Sequence, residues 1–142
     1  MIWVGTNDGK LWNTRDGGAN WTDVTKNITG LPPWTVVSKI DPSNFDGGTA
    51  YIAVDGHLTD GRQPLLFKTT DFGQTWKSVS GDLPSKHPLD YTLAIAENPN
   101  RRGMLFVGTG HGFYYSVDDG EHWKQLQDGL PAAPVTWVVV QK

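Results

Sequence analysis

Short apolar runs alternate with polar turns along the whole chain, and this pattern predicts β-strands rather than helices. Glycine, proline, asparagine and aspartate separate the runs, which is typical of strands joined by tight connections. No segment repeats apolar residues at the helical period. The composition agrees with short strands and many turns, since 37% of the 142 residues are hydrophobic and the chain has 17 glycines and 9 prolines. The clearest runs are residues 2–6, 36–40, 50–54, 93–96, 104–109 and 135–140.

One motif, Ser/Thr-x-Asp-x-Gly-x-x-Trp, occurs three times, with its aspartates 55 and then 47 residues apart. Glycine allows a positive φ, and the aspartate carboxylate and the hydroxyl can bind main-chain groups of a turn. Each copy therefore predicts the tip of a β-hairpin. We expect each tryptophan to begin the outgoing strand and to fill space between sheets. The motif residues are Thr14, Asp16, Gly18 and Trp21, then Thr69, Asp71, Gly73 and Trp76, and finally Ser116, Asp118, Gly120 and Trp123.

The surroundings of the motif are repeated as well. An apolar run precedes each copy, and a Leu-Pro pair follows it at residues 31–32, 83–84 and 130–131. A further apolar run comes after each Leu-Pro pair. One unit is thus four short antiparallel strands with the motif joining the last two, which is the blade of a β-propeller.

On these motifs the chain resembles the Asp-box, or BNR-repeat, β-propellers. That family includes sialidases, certain xyloglucan hydrolases, the sortilin ectodomain and bacterial BNR-repeat proteins of the glycosyl hydrolase type. The resemblance covers nearly the whole chain and implies an all-β propeller of four-stranded antiparallel blades. It implies no single activity, because the family uses one fold in enzymes, sorting receptors and assembly factors. It also implies an exported or extracellular protein. The motif is called the Asp box below.

The number of blades predicts an assembly. Residues 2–25 supply the last three strands of a blade, and residues 135–140 supply a first strand. Residues 1–142 then form a single three-blade segment if 135–140 complete the blade begun at 2–25. Closed propellers typically have 4–8 blades, so we expect a homodimer that forms a six-bladed ring by exchanging terminal strands. The alternative is that the chain is a segment of a longer propeller.

Charge and composition argue against several function classes. A net charge of −3, with no basic cluster larger than Arg101-Arg102, argues against nucleic-acid binding. Absence of cysteine excludes disulfides and thiolate chemistry. No run approaches the ~18 apolar residues of a membrane-spanning helix, and the N-terminus lacks the pattern of a signal peptide.

We expect ligands at the end of the propeller opposite the Asp boxes, where connections between strands two and three and between successive blades lie. The segment Asp55–Pro64 is longer than its counterparts by about seven residues, and segments that outgrow a repeat often serve function. An ordinary solvated loop is the alternative. Trp34 could stack on a sugar or pack between blades, and His87 lies on the same end. The predicted ligand-binding residues are Trp34, Asp55, His57, Asp60, Arg62 and His111.

Enzyme chemistry is less well supported than binding. A sialidase needs several converging arginines, and only Arg62 of the four arginines belongs to the ligand end. A general glycosidase needs two carboxyls beside the scissile bond, for which Asp55, Asp60 and Asp90 are the nearest candidates. No metalloprotease, phosphate-loop or calcium-loop motif occurs. We therefore predict a self-assembling scaffold or binding module for a glycan or peptide, without catalytic residues, metal or cofactor. The alternative is a sialidase-like or xyloglucanase-like hydrolase, or an inactive fragment of one.

Overall fold

The computed structural model describes residues 1–141 and contains three antiparallel sheets in chain order. This confirms the predicted all-β class. The part of the chain that the structure describes contains no helix long and apolar enough to cross a membrane, and its only helical pieces are two 3₁₀ turns, Thr25–Asn27 and His57–Thr59. The first sheet comprises β1 (Ile2–Gly5), β2 (Leu11–Thr14) and β3 (Thr22–Asp23); the second comprises β4 (Val36–Pro42), β5 (Ala50–Gly56), β6 (Gly61–Thr69) and β7 (Lys77–Ser78); the third comprises β8 (Thr92–Glu97), β9 (Leu105–Thr109), β10 (Phe113–Ser116) and β11 (Lys124–Gln125).

The core consists of two apolar clusters, one on each side of the second sheet. Along β5, Ile52 and Val54 belong to the cluster shared with the first sheet, and Tyr51 and Ala53 belong to the cluster shared with the third. All four residues are fully buried. Because successive side chains of a strand point to opposite faces, both faces of β5 are apolar. The second sheet is therefore the middle layer of the three.

Each Asp box connects the last two strands of its sheet, at the position predicted from the repeat. In the second copy the Thr69 hydroxyl accepts the N–H of Gly73 at 2.9 Å and donates to Asp71 at 2.9 Å. Asp71 accepts the N–H of Thr75 at 2.8 Å. The same bonds recur in the other copies, at Thr14, Asp16, Gly18 and Asn20 and at Ser116, Asp118, Gly120 and His122.

The buried part of the Asp box is its hydroxyl. The side chains of Thr14, Thr69 and Ser116 belong to residues that are 1% exposed, whereas the carboxylates of Asp16 and Asp118 belong to exposed residues. The hydroxyl therefore satisfies the interior N–H of the turn, and the carboxylate closes the turn from the solvent side.

The three Asp-box tryptophans differ in burial according to what lies beside them. Trp123 is 8% exposed and donates its ring N–H to the carbonyl of Val79 in the second sheet at 3.1 Å. Trp76 packs edge-on against Trp3 of the first sheet, with ring centroids 5.9 Å apart. Trp21 is 42% exposed. Each ring thus faces the preceding sheet, and the described residues provide no such sheet for Trp21.

The first sheet has three strands instead of four, and β1 forms its free inner edge. Residues 135–140 form no strand and do not pair with β1 in the single chain. They lie against the third sheet, where the N–H of Val135 donates to the carbonyl of Thr109 at 3.0 Å. Trp137 is 66% exposed, with the Lys39 ammonium 3.7 Å from its ring centre. Completion of the first blade by residues 135–140 stays a prediction about two chains.

The long segment of the second sheet is largely strand rather than loop. Asp55 and Gly56 belong to β5, and the residues from Gly61 to Pro64 belong to β6. Only residues 57–60 form the connection, as a 3₁₀ turn that ends at Asp60 with φ +65°. The extra residues therefore lengthen a hairpin.

Candidate functional site

The predicted ligand residues lie in connections that alternate with the Asp boxes. Trp34 is in the β3–β4 connection, Asp55 and His57 are at the β5–β6 tip, and His111 is in the β9–β10 turn. Neighbouring strands are antiparallel, so these connections leave the sheets at the end opposite the Asp boxes. The same end receives the β7–β8 connection, residues 79–91.

One group at this end is built around an aspartate–histidine pair. Both carboxylate oxygens of Asp55 lie close to Nδ1 of His57, at 2.6 and 2.7 Å, and the same carboxylate accepts the backbone N–H of His57 at 3.0 Å. Asp55 is 8% exposed. The His57 ring stacks on Tyr91, with centroids 4.7 Å apart and planes 24° apart. The pair therefore holds an imidazole flat against an aromatic ring.

A second group joins the β7–β8 connection to the β9–β10 turn. The rings of His87 and His111 lie 4.3 Å apart between centroids. Asp90 accepts the backbone N–H of His87 at 2.7 Å, and its other carboxylate oxygen is 3.8 Å from Nδ1 of His111. Asp90 is 2% exposed. Burial raises the pKa of the neighbouring Tyr114 phenol, and the negative charge of Asp90 raises it further.

The two groups are contiguous through Tyr91. The N–H of Gly110 donates to the Tyr91 carbonyl at 3.1 Å, and a Cβ on Gly110 would lie 2.7 Å from the Tyr91 ring. Glycine is thus required at position 110 for this close approach. We call the combined set the histidine cluster; it comprises Asp55, His57, His87, Asp90, Tyr91 and His111.

Two predicted ligand residues belong to the hairpin tip and make no hydrogen bond or ion pair with the histidine cluster among residues 1–141. Asp60 and Arg62 form a long ion pair with each other, with 3.7 Å between Nε and the carboxylate. Their side chains are 93% and 56% exposed. Such an exposed pair contributes little to stability, which leaves both side chains free to rearrange.

Trp34 stands beside a separate groove at the edge of the first sheet. Its side chain does not pack between blades, since the residue is 72% exposed. Its φ of +61° is rare for a bulky residue. The groove has a volume of about 510 Å³ and includes the charged residues Asp8, Lys10 and Lys26. A hydrogen bond from Thr6 lowers the pKa of Asp8, so this carboxylate is ionised at neutral pH.

A cavity of about 740 Å³ lies between the third sheet and residues 130–139 and is mostly apolar. The corresponding faces of the first and second sheets are covered by the next sheet. Its place in the repeat is therefore that of a packing face between blades.

The three carboxyls that the sequence offered for glycoside hydrolysis differ in their surroundings. Asp55 is bound by His57 on both oxygens, Asp90 is buried, and Asp60 points from an exposed tip. Among the described residues, the groups presented to solvent at this end include the Trp34 ring, the His57 imidazole, Asp60 and Arg62. This end therefore presents aromatic, acidic and basic groups together.

Sequence reasoning placed His87 at this end and named Asp90 only as a possible acid. It missed Tyr91, because a tyrosine directly before β8 looks like an ordinary strand residue. The contact between Tyr91 and His57 joins connections of different sheets. The position of His87 and Asp90 three residues apart in a connection facing His111 was the available signal.

Known proteins that are similar to this chain include a sortilin and a xyloglucanase. The family model described as "Sortilin, neurotensin receptor 3" matches residues 9–140. Sortilin of Rattus norvegicus is 27% identical over 131 residues, 92% of this chain and 15% of sortilin. The oligoxyloglucan-reducing end-specific xyloglucanase of Emericella nidulans is 29% identical over 121 residues, 81% of this chain and 14% of the enzyme. The chain thus spans about one seventh of the length of these relatives.

A solved structure, YCF48 bound to D1 peptide, matches in fold with a TM-score of 0.63 and 23% identity, over 87% of this chain and 35% of the YCF48 chain. This likeness concerns the fold alone. The match of the family model over most of the chain shows more, and it agrees with the three Asp boxes. The chain belongs to the Sortilin-Vps10 family of Asp-box β-propellers.

Proposed function

We propose that this chain supplies three blades of a non-catalytic propeller that binds a glycan or a peptide at the end opposite the Asp boxes. The observation that carries the proposal is the exposed Trp34 ring beside a groove with two lysines. An aromatic face suits the apolar face of a sugar or a peptide side chain, and the lysines suit a carboxylate. Of the candidate carboxylates of the same end, Asp55 is bound by His57 and Asp90 is buried, whereas Asp60 is exposed at the hairpin tip.

The backbone of Trp34 adds support. A bulky residue with φ +61° costs free energy, and such residues concentrate at sites that bind ligands. The ring nevertheless remains in solvent instead of gaining burial. Relatives are compatible with both ligand classes, since one similar structure holds a peptide and one similar enzyme is a xyloglucanase.

The binding test uses calorimetry on the full chain, with xyloglucan oligosaccharides and short acidic peptides as separate probes. We expect one probe class to bind saturably, and Trp34→Ala to weaken that binding about tenfold or more, as is usual for an aromatic anchor. Trp21→Ala is the matched control, because Trp21 is an exposed tryptophan of the Asp-box end. Equal loss in both variants, or no binding of either probe, contradicts the proposal.

Hydrolysis is the alternative that the xyloglucanase relatives keep open. It predicts turnover of aryl glycosides that Asp55→Asn or Asp60→Asn abolishes. Binding of oligosaccharide without turnover, in contrast, is the outcome expected here.

We further propose that the free edge of β1 pairs with residues 135–140 of a second copy, giving a six-bladed ring. The repeat supports this pairing. The bond from Val135 to Thr109 repeats the bond from Val37 to Thr6, so residue 135 is the equivalent in the repeat of Val37, near the start of β4. An unpaired edge strand is a ready template for another strand, and Ile2 and Val4 of β1 are both more than 40% exposed.

A further inference from the structure

Two imidazoles and one buried carboxylate converge where the β7–β8 connection meets the β9–β10 turn. One potential ligand atom from each of His87, Asp90 and His111 lies within 4.8 Å of the other two. We propose that these three residues bind one divalent transition-metal ion of the zinc type. This proposal does not depend on the glycan or peptide, since the Trp34 groove is a separate feature lined by other residues.

The buried charge of Asp90 is the first argument. Asp90 is 2% exposed, and no lysine or arginine of residues 1–141 forms an ion pair with it. One oxygen accepts the N–H of His87 at 2.7 Å, and the other lies 3.8 Å from Nδ1 of His111. A buried carboxylate without a close cation is costly. A metal ion between Asp90 and the imidazoles would supply the missing positive charge.

The orientation of His111 is the second argument. Its Nδ1 faces the buried carboxylate, 3.8 Å from Oδ1 of Asp90, and lies 3.2 Å from the carbonyl oxygen of Leu89. Nδ1 is therefore the His111 atom positioned to share an ion with Asp90, which requires the ring proton to be on Nε2. The carbonyl oxygen of Leu89 beside it is a further potential ligand atom.

His87 is the ligand that must move. Its Nδ1 accepts the N–H of Leu89 at 3.1 Å. Zn–N bonds of 2.0–2.1 Å in tetrahedral geometry place ligand atoms about 3.3 Å apart, so no separation within the set needs to shorten by more than roughly 1.5 Å. His87 is exposed and lies in a connection, so its ring can turn toward the other two ligands.

The donor types select the metal. Two nitrogens and one carboxylate oxygen suit Zn²⁺, Co²⁺ and Ni²⁺, whereas Ca²⁺ and Mg²⁺ prefer sets made of oxygen. Three protein ligands leave a fourth position for water or for an atom of a ligand. That position would lie at the end where binding is proposed.

Calorimetry with Zn²⁺ alone, on the full chain without any histidine tag, tests the proposal. We expect one equivalent to bind saturably, and His111→Ala to weaken binding about tenfold or more. His122→Ala is the matched control, because it also removes one of the four histidines but lies in an Asp box, paired with Asp118 at 2.7 Å. Substitution with Co²⁺ gives visible absorption that reports the coordination geometry independently of affinity.

The outcomes are distinct. Loss of binding in His111→Ala and in His87→Ala, with His122→Ala unchanged, supports the site. Binding of equal strength in His111→Ala, loss in His122→Ala, or no binding to the parent chain overturns it. Asp90→Asn completes the set, and if that variant fails to fold, the exposed His87 still provides a variant that leaves the core intact.

Discussion

At the scale of single residues, the hydroxyl is the buried part of the Asp box. Thr69 is 1% exposed, and its oxygen accepts the N–H of Gly73 in the interior of the turn. Thr75 also donates its hydroxyl to Asp71, at 2.6 Å, but it is exposed and water can replace its contact. Loss of the Thr69 hydroxyl therefore leaves a buried N–H without a partner, whereas loss of the Thr75 hydroxyl affects a contact that water can replace.

We expect Thr69→Val to lower the free energy of unfolding by about 1–3 kcal/mol, because it leaves a buried N–H without a partner. Thr75→Val, the same change on the exposed side, should stay within about 0.5 kcal/mol of the parent. Urea unfolding of both variants measures the difference. Equal losses would mean that the carboxylate side of the turn, and not its hydroxyl, provides the stability.

At the scale of elements, three Asp boxes reach the same geometry with different side chains before the tryptophan. Asn20, Thr75 and His122 each donate to the outer carboxylate oxygen of their own Asp box, at 2.8, 2.6 and 2.7 Å. In the third box, the hydrogen bond that His122 donates to Asp118 raises the pKa of His122. Bonds from the backbone and side chain of His122 lower the pKa of Asp118 to about 2. Of the three boxes, only this one therefore contains an imidazole whose pKa lies above its ordinary 6.5.

The third Asp box should make stability depend on pH. The pKa of His122 is higher in the folded chain than its ordinary 6.5, so its stabilising effect is complete below pH 6.5 and is lost as the pH rises through the folded value. We expect the difference in melting temperature, parent minus His122→Asn, to be larger at pH 6 than at pH 8. Asparagine is the residue of the first box and does not titrate, so a difference independent of pH would contradict the assignment.

Another element-level result concerns the β5–β6 hairpin. The sequence identified the insertion but predicted a loop, whereas its outer residues extend the two strands. Strand pairing continues because Gly56 lies opposite Gly61 across the hairpin. The extension keeps Asp55 in a strand, where it holds His57 against Tyr91 of the neighbouring sheet.

At the scale of the whole molecule, apolar groups are exposed at both ends of the series of three sheets. β1 has a free edge, Trp21 faces no preceding sheet, and Trp137 and Val139 are more than 60% exposed. Where a preceding sheet is present, the equivalent tryptophans pack against it, as Trp76 and Trp123 illustrate. Pairing of the two ends between copies would bury apolar area and remove an unpaired edge.

Light scattering coupled to size exclusion tests this assembly. We expect a mass twice that of the 15.6 kDa chain. Trp3→Pro, in the free strand β1, should return the mass to that of a monomer, because the N–H of Trp3 points away from β2 and proline removes it from the free edge. Trp3→Ala is the matched control, since it also removes the indole ring but keeps this N–H. A monomeric parent chain would contradict the dimer and favour a segment of a longer propeller.

The sequence by itself determined the repeat and its local structure. The spacing of the Asp boxes, the apolar runs and the Leu-Pro pairs predicted antiparallel sheets with the boxes between their last strands, because turn chemistry and alternation act over a few residues. It also separated the Asp-box end from the ligand end, since that follows from antiparallel order alone.

Only the tertiary structure decided which side chains meet. The stacking of His57 on Tyr91, the approach of His111 to Asp90 and the exposure of Trp34 depend on how sheets and connections pack. The burial of Trp123 and the exposure of Trp21 show the same dependence, because identical motif positions differ when a neighbouring sheet is present or absent. Local pattern sets the blade, whereas contacts between residues distant in sequence set the site.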